Sequence, residues 1–310
     1  MREQPRSENQ QVRVSELVTI INPSNPDYKE IGIGIEITTP GFTGLNLDHH
    51  GKDYNSDSPS AIERAMKLDL DSIKKNLESG KKIATIRPDP DSVGAIAVIL
   101  LKLEGINPDE KIIKAIGLAD RKGPGVFKDN GAKLLGLSDD EFEKYKKIVA
   151  AARYKIVSQK TPIEEAIEFM KNLLMVKISE DEIENLYKQD QKELEEARKN
   201  LEIELICNGK VAVVKGNSPR AFDIGYEKAQ VVIAYNPQFK WPTGQVTPKF
   251  TIARYDSNVD YFNIKGLLQE LQQKDPDWGG TENLIGSPQG RDPGIFLEEL
   301  EKIVTKYIVY

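Results

Sequence analysis

Residues 83–103 read IATIRPDPDSVGAIAVILLKL, and this stretch decides the fold class. Ile83–Ile86 has the pattern of a short buried strand that ends at Arg87-Pro88. Ser92 then begins the apolar run Val93–Leu103, which is typical of a buried helix. A strand that leads into a helix through a short acidic turn is the repeating unit of α/β proteins with a parallel sheet.

Further strand and helix patterns lie on both sides of this stretch. Ile31–Ile37 and Leu45–Leu47 predict two strands before it, and Lys111–Leu118 predicts one strand after it. Helices are predicted directly after Ser58-Pro59-Ser60 and over residues 71–77. Because strands alternate with helices, the predicted fold class is α/β with a mostly parallel, doubly wound sheet.

From residue 139 the pattern changes to long helices with charged faces, and a second α/β region follows. Four parts are therefore predicted: a mobile tail over 1–14, a first α/β domain over 15–138, a helical connector over 139–203 and a smaller α/β domain over 204–310. The connector helices are expected at 139–153, 162–175 and 180–203. The last part is expected to have strands at 210–215, 230–235 and 248–254, with helices near 262–274 and 293–306.

Composition limits the classes of function. The net charge of -6 gives no broad basic field, so tight sequence-independent binding to duplex DNA is not expected. The single cysteine, Cys207, cannot form an internal disulfide, and no Cys/His spacing typical of zinc sites occurs. No apolar stretch approaches the roughly 18 residues of a membrane span, so a cytoplasmic protein is expected.

The chain has two histidines, and both follow an aspartate in Asp48-His49-His50 at the end of a predicted strand. In an open parallel sheet the carboxyl ends of the strands face the ligand crevice, where these residues could bind a metal. A capping or surface role in the loop before Gly51 is the alternative.

Two more predicted strand ends are acidic. Asp89 and Asp91 follow Ile83–Ile86, and Asp120 follows Lys111–Leu118. Carboxylates brought so close together repel each other unless a cation screens them. N-capping of the next helix by Asp91 is the alternative. Carboxylates with an imidazole favour Mn²⁺ or Mg²⁺ over zinc.

These motifs resemble those of the DHH phosphoesterase superfamily. The resemblance covers residues 30–290 and rests on five stretches: Asp48-His49-His50 with the helix after Ser58, Pro88–Ala95, Gly117–Asp120 with Phe127, Arg254, and Trp278–Gly286. The last two are similar to the DHH-associated C-terminal domain. Residues 151–153 and the helices after them are similar to the connector of RecJ-like exonucleases.

The resemblance implies a hydrolase that uses two divalent ions, usually Mn²⁺, in a cleft between its domains. The implied metal ligands are His49, Asp89, Asp91 and Asp120, with Glu36 as a weaker candidate. Asp48 and His50 are the implied catalytic residues that orient the ligands, and His50 could also contact the scissile phosphate. The implied substrate-binding residues are Arg87, Arg153, Arg254, Gly279, Gly280 and Thr281.

The chain departs from the family pattern in three places. Asp48-His49-His50 precedes the Asp89/Asp91 motif, whereas the family has the opposite order. A metal ligand is usual where this chain has Thr85 and Arg87, and Thr281 replaces the usual histidine of the glycine-rich segment.

Two functions are therefore expected as alternatives. The first is a metal-dependent phosphodiesterase that hydrolyses short single-stranded oligonucleotides or small nucleotides. The second is a catalytically inactive protein of the same fold that binds a nucleotide or a partner. A homodimer is compatible with either function.

Overall fold

The computed structural model describes residues 14–49, 57–241 and 243–309. The predicted mobile tail lies outside the described residues except for Val14, which begins a short helix. His50 also lies outside them. Among the described residues, no helix is long and apolar enough to span a lipid bilayer.

The first sheet has four parallel strands in the spatial order β1-β4-β2-β3. These strands are β1 (Val18–Ile20), β2 (Ile31–Ile35), β3 (Leu45–Leu47) and β4 (Lys82–Thr85). The predicted α/β class with a parallel sheet is confirmed. Because all four strands point the same way, the residues that follow them gather at one edge of the sheet.

Five helices are interleaved with these strands or follow them. They are α1 (Val14–Leu17), α2 (Ala61–Lys67), α3 (Leu70–Asn76), α4 (Pro90–Leu103) and α5 (Glu110–Leu135). Helix α4 forms the centre of the core, since every residue from Asp91 to Leu101 is buried. It packs against α2 and against a later helix, Ile163–Leu174.

The strand predicted over Lys111–Leu118 is wrong, because this segment is the first half of α5. The Asp109 carboxylate caps the helix by accepting hydrogen bonds from the backbone N–H groups of Lys111 (2.8 Å) and Ile112 (2.9 Å). A run of isoleucines favours a strand, but their helical spacing allows them to pack into the core. Helix α5 has a kink at Gly123, whose φ is 77°.

The three helices predicted for the connector are present. They are α6 (Asp139–Arg153), α7 (Ile163–Leu174) and α8 (Glu180–Asn200). A π-helical turn, Tyr154–Ser158, follows α6. Helices α6 and α7 place Phe142, Ile167 and Met170 in the core of the first sheet, so they pack within that core. The predicted domain boundaries stay a prediction.

The second sheet has six strands in the order β5-β6-β7-β8-β10-β9, and only β6 and β7 are parallel neighbours. The strands are β5 (Glu202–Ile206), β6 (Val211–Lys215), β7 (Val231–Lys240), β8 (Val246–Arg254), β9 (Gly279–Gly280) and β10 (Leu284–Gly286). The helices are α9 (Ala221–Tyr226), α10 (Ile264–Lys274) and α11 (Leu297–Thr305). The prediction omitted β5, which begins two residues after α8 ends.

The two sheets meet along a seam beside the carboxyl ends of the first sheet's strands. Trp241, which follows β7, is 2% exposed and belongs to a cluster with Ile21, Ile37 and Ile86. Those isoleucines come directly or nearly directly after β1, β2 and β4. The seam therefore lies next to the edge where the predicted site residues gather.

Candidate metal centre

Four ionisable side chains converge at the carboxyl edge of the first sheet. Glu36, His49, Asp91 and Asp120 each offer one possible ligand atom, and these atoms all lie within 4.8 Å of one another. Glu36 follows β2, His49 lies two residues after β3, and Asp91 is in the first turn of α4. Asp120 comes from the middle of α5. We call these four residues the acid cluster.

His49 lies between two of the acids and is 4% exposed. Its Nε2 is 2.9 Å from Oδ2 of Asp120 and 3.1 Å from Oε1 of Glu36. Burial lowers the pKa of His49, but the two carboxylates outweigh burial and raise this pKa to about 11. The acids therefore favour a positive charge at this position, and without a metal the imidazole proton supplies it.

Asp91 is 1% exposed, and its carboxylate has a fixed orientation. Oδ2 accepts a hydrogen bond from the backbone N–H of Ala61 (2.7 Å), and Oδ1 accepts one from Ile62 (3.1 Å). These N–H groups begin α2 and are free of intrahelical partners. Burial, followed by the charges of Asp120 and Glu36, raises the pKa of Asp91 well above its usual value. Each oxygen keeps a lone pair for a cation.

Asp89, rather than Asp91, caps helix α4. Its Oδ1 accepts a hydrogen bond from the backbone N–H of Ser92 (2.9 Å), and its own N–H donates to Oγ of Ser92 (3.0 Å). Oδ2 lies 3.5 Å from Nη2 of Arg87. Burial raises the pKa of Asp89 to about 6, and the charge of Glu36 acts in the same direction. Asp89 thus lies near the acid cluster, although it is not one of the four grouped ligands.

The position of Asp120 is fixed by its neighbour Arg121. The Arg121 guanidinium makes two contacts with the Glu63 carboxylate, at 2.8 Å from Nε and 3.2 Å from Nη2. Glu63 also accepts a hydrogen bond from the N–H of Ser60 (2.9 Å). This pair joins α5 to the start of α2, where Asp91 is held. Sequence reasoning missed the pair, although Ser60 and Glu63 have the spacing of a capping box.

Close approach of α5 to α2 also requires a glycine at position 117. A Cβ atom there would lie 2.6 Å from Oγ of Ser60 and 2.8 Å from side-chain atoms of Glu63. The glycine of the Gly117–Asp120 motif is thereby explained by packing against the helix that holds Asp91.

Glu36, the weaker ligand candidate, belongs to the acid cluster. It is a non-glycine residue with φ 54°, a left-handed conformation that costs free energy and is concentrated at functional sites. Its backbone N–H donates to the carbonyl of Leu47 (3.1 Å), which continues the pairing of β2 with β3. Its side chain is 10% exposed.

The donor set fits a hard divalent cation. Three carboxylates and one imidazole suit Mn²⁺ or Mg²⁺, which bind oxygen ligands readily. Glu36 and Asp91 are largely shielded from the water that would screen their repulsion, whereas Asp120 lies on the more exposed side of the cluster. The described residues therefore form a candidate site for one cation, and the second predicted ion stays a prediction.

Asp48 is half-buried and lies directly after β3. Its predicted role of orienting the ligands stays a prediction, and so does the catalytic role of His50, which lies outside the described residues.

Several predicted substrate-binding residues meet where strand β8 of the second sheet ends. Nε of Arg254, the last residue of β8, donates to Oδ1 of Asn283 (2.8 Å), and Asn283 N–H donates to Oγ1 of Thr281 (3.3 Å). Gly280 has φ 150°, and a Cβ there would lie 2.1 Å from the carbonyl oxygen of Leu284. Asn283, which sequence reasoning missed, therefore joins Arg254 to the glycine-rich segment.

Gly279 differs from Gly280, because a Cβ atom there would meet nothing within 4 Å. Its backbone is therefore open on that side, which is compatible with the predicted approach of a substrate phosphate.

This end of β8 lies against helix α5, close in the chain to Asp120. The hydroxyl of Tyr255, the residue after Arg254, hydrogen-bonds to the Asp129 carboxylate of α5. A Cβ at Gly125 would lie 2.4 Å from the Tyr255 ring.

Arg153 lies in a different environment. Its guanidinium contacts Asp190 (3.0 Å from Nη2) and Asp223 (3.2 Å from Nη1). Arg220, which is fully buried, contacts the same two acids and also Glu193. We call these five residues the ion-pair network. The structure thus places Arg153 among acids that join α6, α8 and α9, and its predicted contact with substrate stays a prediction.

Comparison with known proteins gives few matches. No protein-family model and no curated protein matches this sequence. One similar solved structure is a DHH domain from a protein described as a member of a family of ribosomal proteins. It is 18% identical with a TM-score of 0.45, over 78% of this chain and 67% of that chain.

Another similar structure is a pGpG-specific phosphodiesterase, PggH, from Vibrio cholerae. It is 10% identical with a TM-score of 0.34, over 87% of this chain and 80% of that chain. Both TM-scores lie below 0.5, so these two likenesses establish neither the fold of this chain nor what it binds.

Proposed function

We propose that this protein is a divalent-metal-dependent phosphodiesterase that acts on short single-stranded oligonucleotides or small nucleotides. The acid cluster supports this proposal, because three carboxylates share one imidazole at the ligand-facing edge of a parallel sheet. Stability alone does not favour three carboxylates this close together, two of which, Glu36 and Asp91, are largely removed from water.

Glu36, His49, Asp91 and Asp120 would hold the metal. A bound divalent cation supplies Lewis acidity toward a water molecule and a phosphoryl oxygen. His49 must lose its proton before Nε2 can act as a ligand, because a protonated imidazole has no free lone pair. The backbone N–H groups of Ala61 and Ile62 hold the Asp91 carboxylate in place before and after binding.

Asp89 and Arg87 would act beside the metal. Because the pKa of Asp89 is about 6, its Oδ2 can hold or release a proton near neutral pH, as an acid or base catalyst requires. Half of the Arg87 side chain is exposed, so its guanidinium can pair with a substrate phosphate. Arg254 would bind the substrate from the second sheet.

One observation favours the second function, a protein that binds a nucleotide without hydrolysing it. Arg87 lies 3.5 Å from Asp89, a carboxylate that the DHH resemblance assigns to the metals. A guanidinium at this position opposes a second cation, and hydrolysis by two ions would then fail.

The two functions are separated by incubating the purified protein with a labelled short oligonucleotide in Mn²⁺ or in EDTA. Hydrolysis that requires Mn²⁺ and is absent in Asp120→Asn supports the phosphodiesterase. Metal-dependent binding without hydrolysis supports the second function. Neither binding nor hydrolysis, with Mn²⁺ bound to the protein, would contradict both.

A further inference from the structure

Lys249 is a buried lysine in the seam between the two sheets. It lies on β8 and is 9% exposed. Its ammonium nitrogen lies 5.2 Å from the ring centroid of Trp241 and 5.8 Å from that of Phe239. Among the described residues, no carboxylate forms an ion pair with this nitrogen.

A buried cation without an acid is unfavourable, and a second cation lies near it. Burial lowers the pKa of Lys249 to about 7, and the charge of Arg87 contributes to the same shift. The attraction between an ammonium group and aromatic faces is smaller than the cost of removing the charge from water. A negative group between the lysine and the arginine would therefore be stabilised by both.

Lys249 lies near both groups of predicted substrate-binding residues, which are Arg87 beside the first sheet and the glycine-rich segment of the second sheet. Trp241 packs in one cluster with Ile86, the residue before Arg87. On the other side, a Cβ at Gly286 would lie 3.9 Å from the Lys249 nitrogen. Gly286 ends the glycine-rich segment, so the ammonium group lies beside that segment, and the Trp241 ring over which it lies packs with residues at the edge of the first sheet.

We propose that Lys249 and Arg87 form an anion subsite that binds a second phosphate group of the substrate, beside the phosphate that is hydrolysed. This inference rests on the proposed phosphodiesterase function. A phosphate dianion would pair with both cations and would favour the charged form of the lysine. The substrate class is then a nucleotide with at least two phosphate groups, such as a dinucleotide with a terminal phosphate.

Binding of inorganic phosphate to the metal-free protein tests the subsite without any hydrolysis. Isothermal titration should show phosphate binding that Lys249→Met weakens by about tenfold or more, since a charge-assisted contact is lost. Lys249→Arg should retain most of the affinity. Lys147→Met is the matched control, because Lys147 lies over the Tyr187 ring but already pairs with Glu184.

Lys249→Met should fold with unchanged or higher thermal stability, because it removes a buried charge that has no acid partner among the described residues. Equal phosphate affinity in the wild-type protein and in Lys249→Met would overturn the subsite, and so would a wild-type protein that binds no phosphate.

Hydrolysis of a dinucleotide with and without a terminal phosphate separates the subsite from the proposed function. The wild-type protein should prefer the phosphorylated form, and Lys249→Met should lose that preference. If the wild-type protein hydrolyses neither form while phosphate binding still depends on Lys249, the proposed function fails and the subsite stands. If hydrolysis occurs and Lys249→Met keeps the preference, the subsite alone fails.

Discussion

The acid cluster and the ion-pair network are both groups of charged side chains that are at least partly buried, but their charges are arranged differently. In the network, Arg153 and Arg220 contact Asp190 and Asp223 directly, with the shortest separation 2.5 Å between Arg220 and Asp190. In the acid cluster, three carboxylates converge on the single imidazole of His49. In the network the positive charges belong to arginines, which stay charged at every ordinary pH. In the acid cluster the positive charge belongs to the protonated imidazole of His49, which can lose its proton.

The network joins parts of the chain that lie far apart in sequence. Asp190 is fully buried on α8, and its two arginine partners come from α6 and from the residue before α9. Burial raises the pKa of Asp190 to about 6, although Arg153 acts against this shift. Such matched pairs hold elements together and need no ligand.

The acid cluster has an arginine next to it in sequence, but that arginine is used elsewhere. Arg121 follows Asp120 and pairs with Glu63. Buried charge alone therefore does not identify a binding site. What distinguishes the acid cluster is that its ligand atoms lie close to one another around an imidazole nitrogen. A metal ion can take the place of the proton on that nitrogen.

The largest effect is expected from Asp120→Asn, which removes charge from the acid cluster. Metal-stimulated hydrolysis should be lost, and Mn²⁺ affinity should fall by at least about 100-fold, the upper range for residues that merely support ligands. Stability of the metal-free protein should change little, because the substitution relieves repulsion among the acids but also weakens the contact between position 120 and the charged His49. Isothermal titration with Mn²⁺ and thermal unfolding measure these quantities.

Asp129→Asn is the control for this experiment, because Asp129 lies on the same helix and contacts Tyr255. It should retain Mn²⁺ affinity. An unchanged affinity in Asp120→Asn would remove Asp120 from the site.

The second effect is expected from Arg220→Met, which breaks the ion-pair network. Loss of one partner from a buried pair costs about 3–5 kcal/mol, because the acids are left uncompensated. Mn²⁺ affinity should not change. Urea denaturation measures the free energy of unfolding, and adding Asp190→Asn to the variant should recover part of the loss. A destabilisation smaller than about 1 kcal/mol would show that the network is not structural.

Much of the acid cluster could be predicted from sequence, because its residues follow recognisable strands. Asp48-His49 comes after Leu45–Leu47, and Asp91 comes shortly after Lys82–Thr85. Their convergence follows from parallel strands, whose carboxyl ends share one edge.

Other parts could not be predicted, because they depend on three-dimensional packing. The isoleucines of Lys111–Leu118 fit a strand as well as a helix, so the sequence places Asp120 at a strand end, whereas it lies beside the other acids because it is part of helix α5. Glu36 lies beside His49 because β2 pairs with β3, and the local sequence does not specify that pairing. Nothing in the local sequence around Arg153 indicates that its partners lie on α8 and α9.

A third effect is expected from Arg254→Ala, which changes neither group of buried charges. Arg254 makes its contacts with Asn283 and with the carbonyl of Val259. Substrate binding should weaken by about 1.5–3 kcal/mol, the range for a hydrogen bond to a charged group. Metal affinity should stay the same. Titration of a nucleotide and of Mn²⁺ against this variant measures both affinities. An equal loss of the two would show that Arg254 does not bind substrate independently of the metal.

The smallest effect is a pH dependence of stability. The folded protein keeps the His49 proton from pH 6.5 to about 11, whereas the unfolded chain loses it near 6.5. Stability of the metal-free protein should therefore fall as pH rises above 6.5, by at most roughly 1.4 kcal/mol per pH unit. With saturating Mn²⁺ this fall should disappear, because metal binding releases the proton and the folded and unfolded states then both lack it.

Thermal unfolding between about pH 6.5 and roughly pH 8.5, in EDTA and in Mn²⁺, measures this dependence. Arg220→Met should keep the same pH trend in this range, since the network contains no histidine. Identical trends with and without Mn²⁺ would mean that the metal does not displace the His49 proton.

The cation site itself is tested most directly by anomalous scattering from crystals grown with Mn²⁺. The predicted result is a peak within about 2.0–2.6 Å of ligand atoms from Glu36, His49, Asp91 and Asp120. A fully ordered acid cluster with no Mn²⁺ peak, or a peak bound only by other residues, would contradict the assignment.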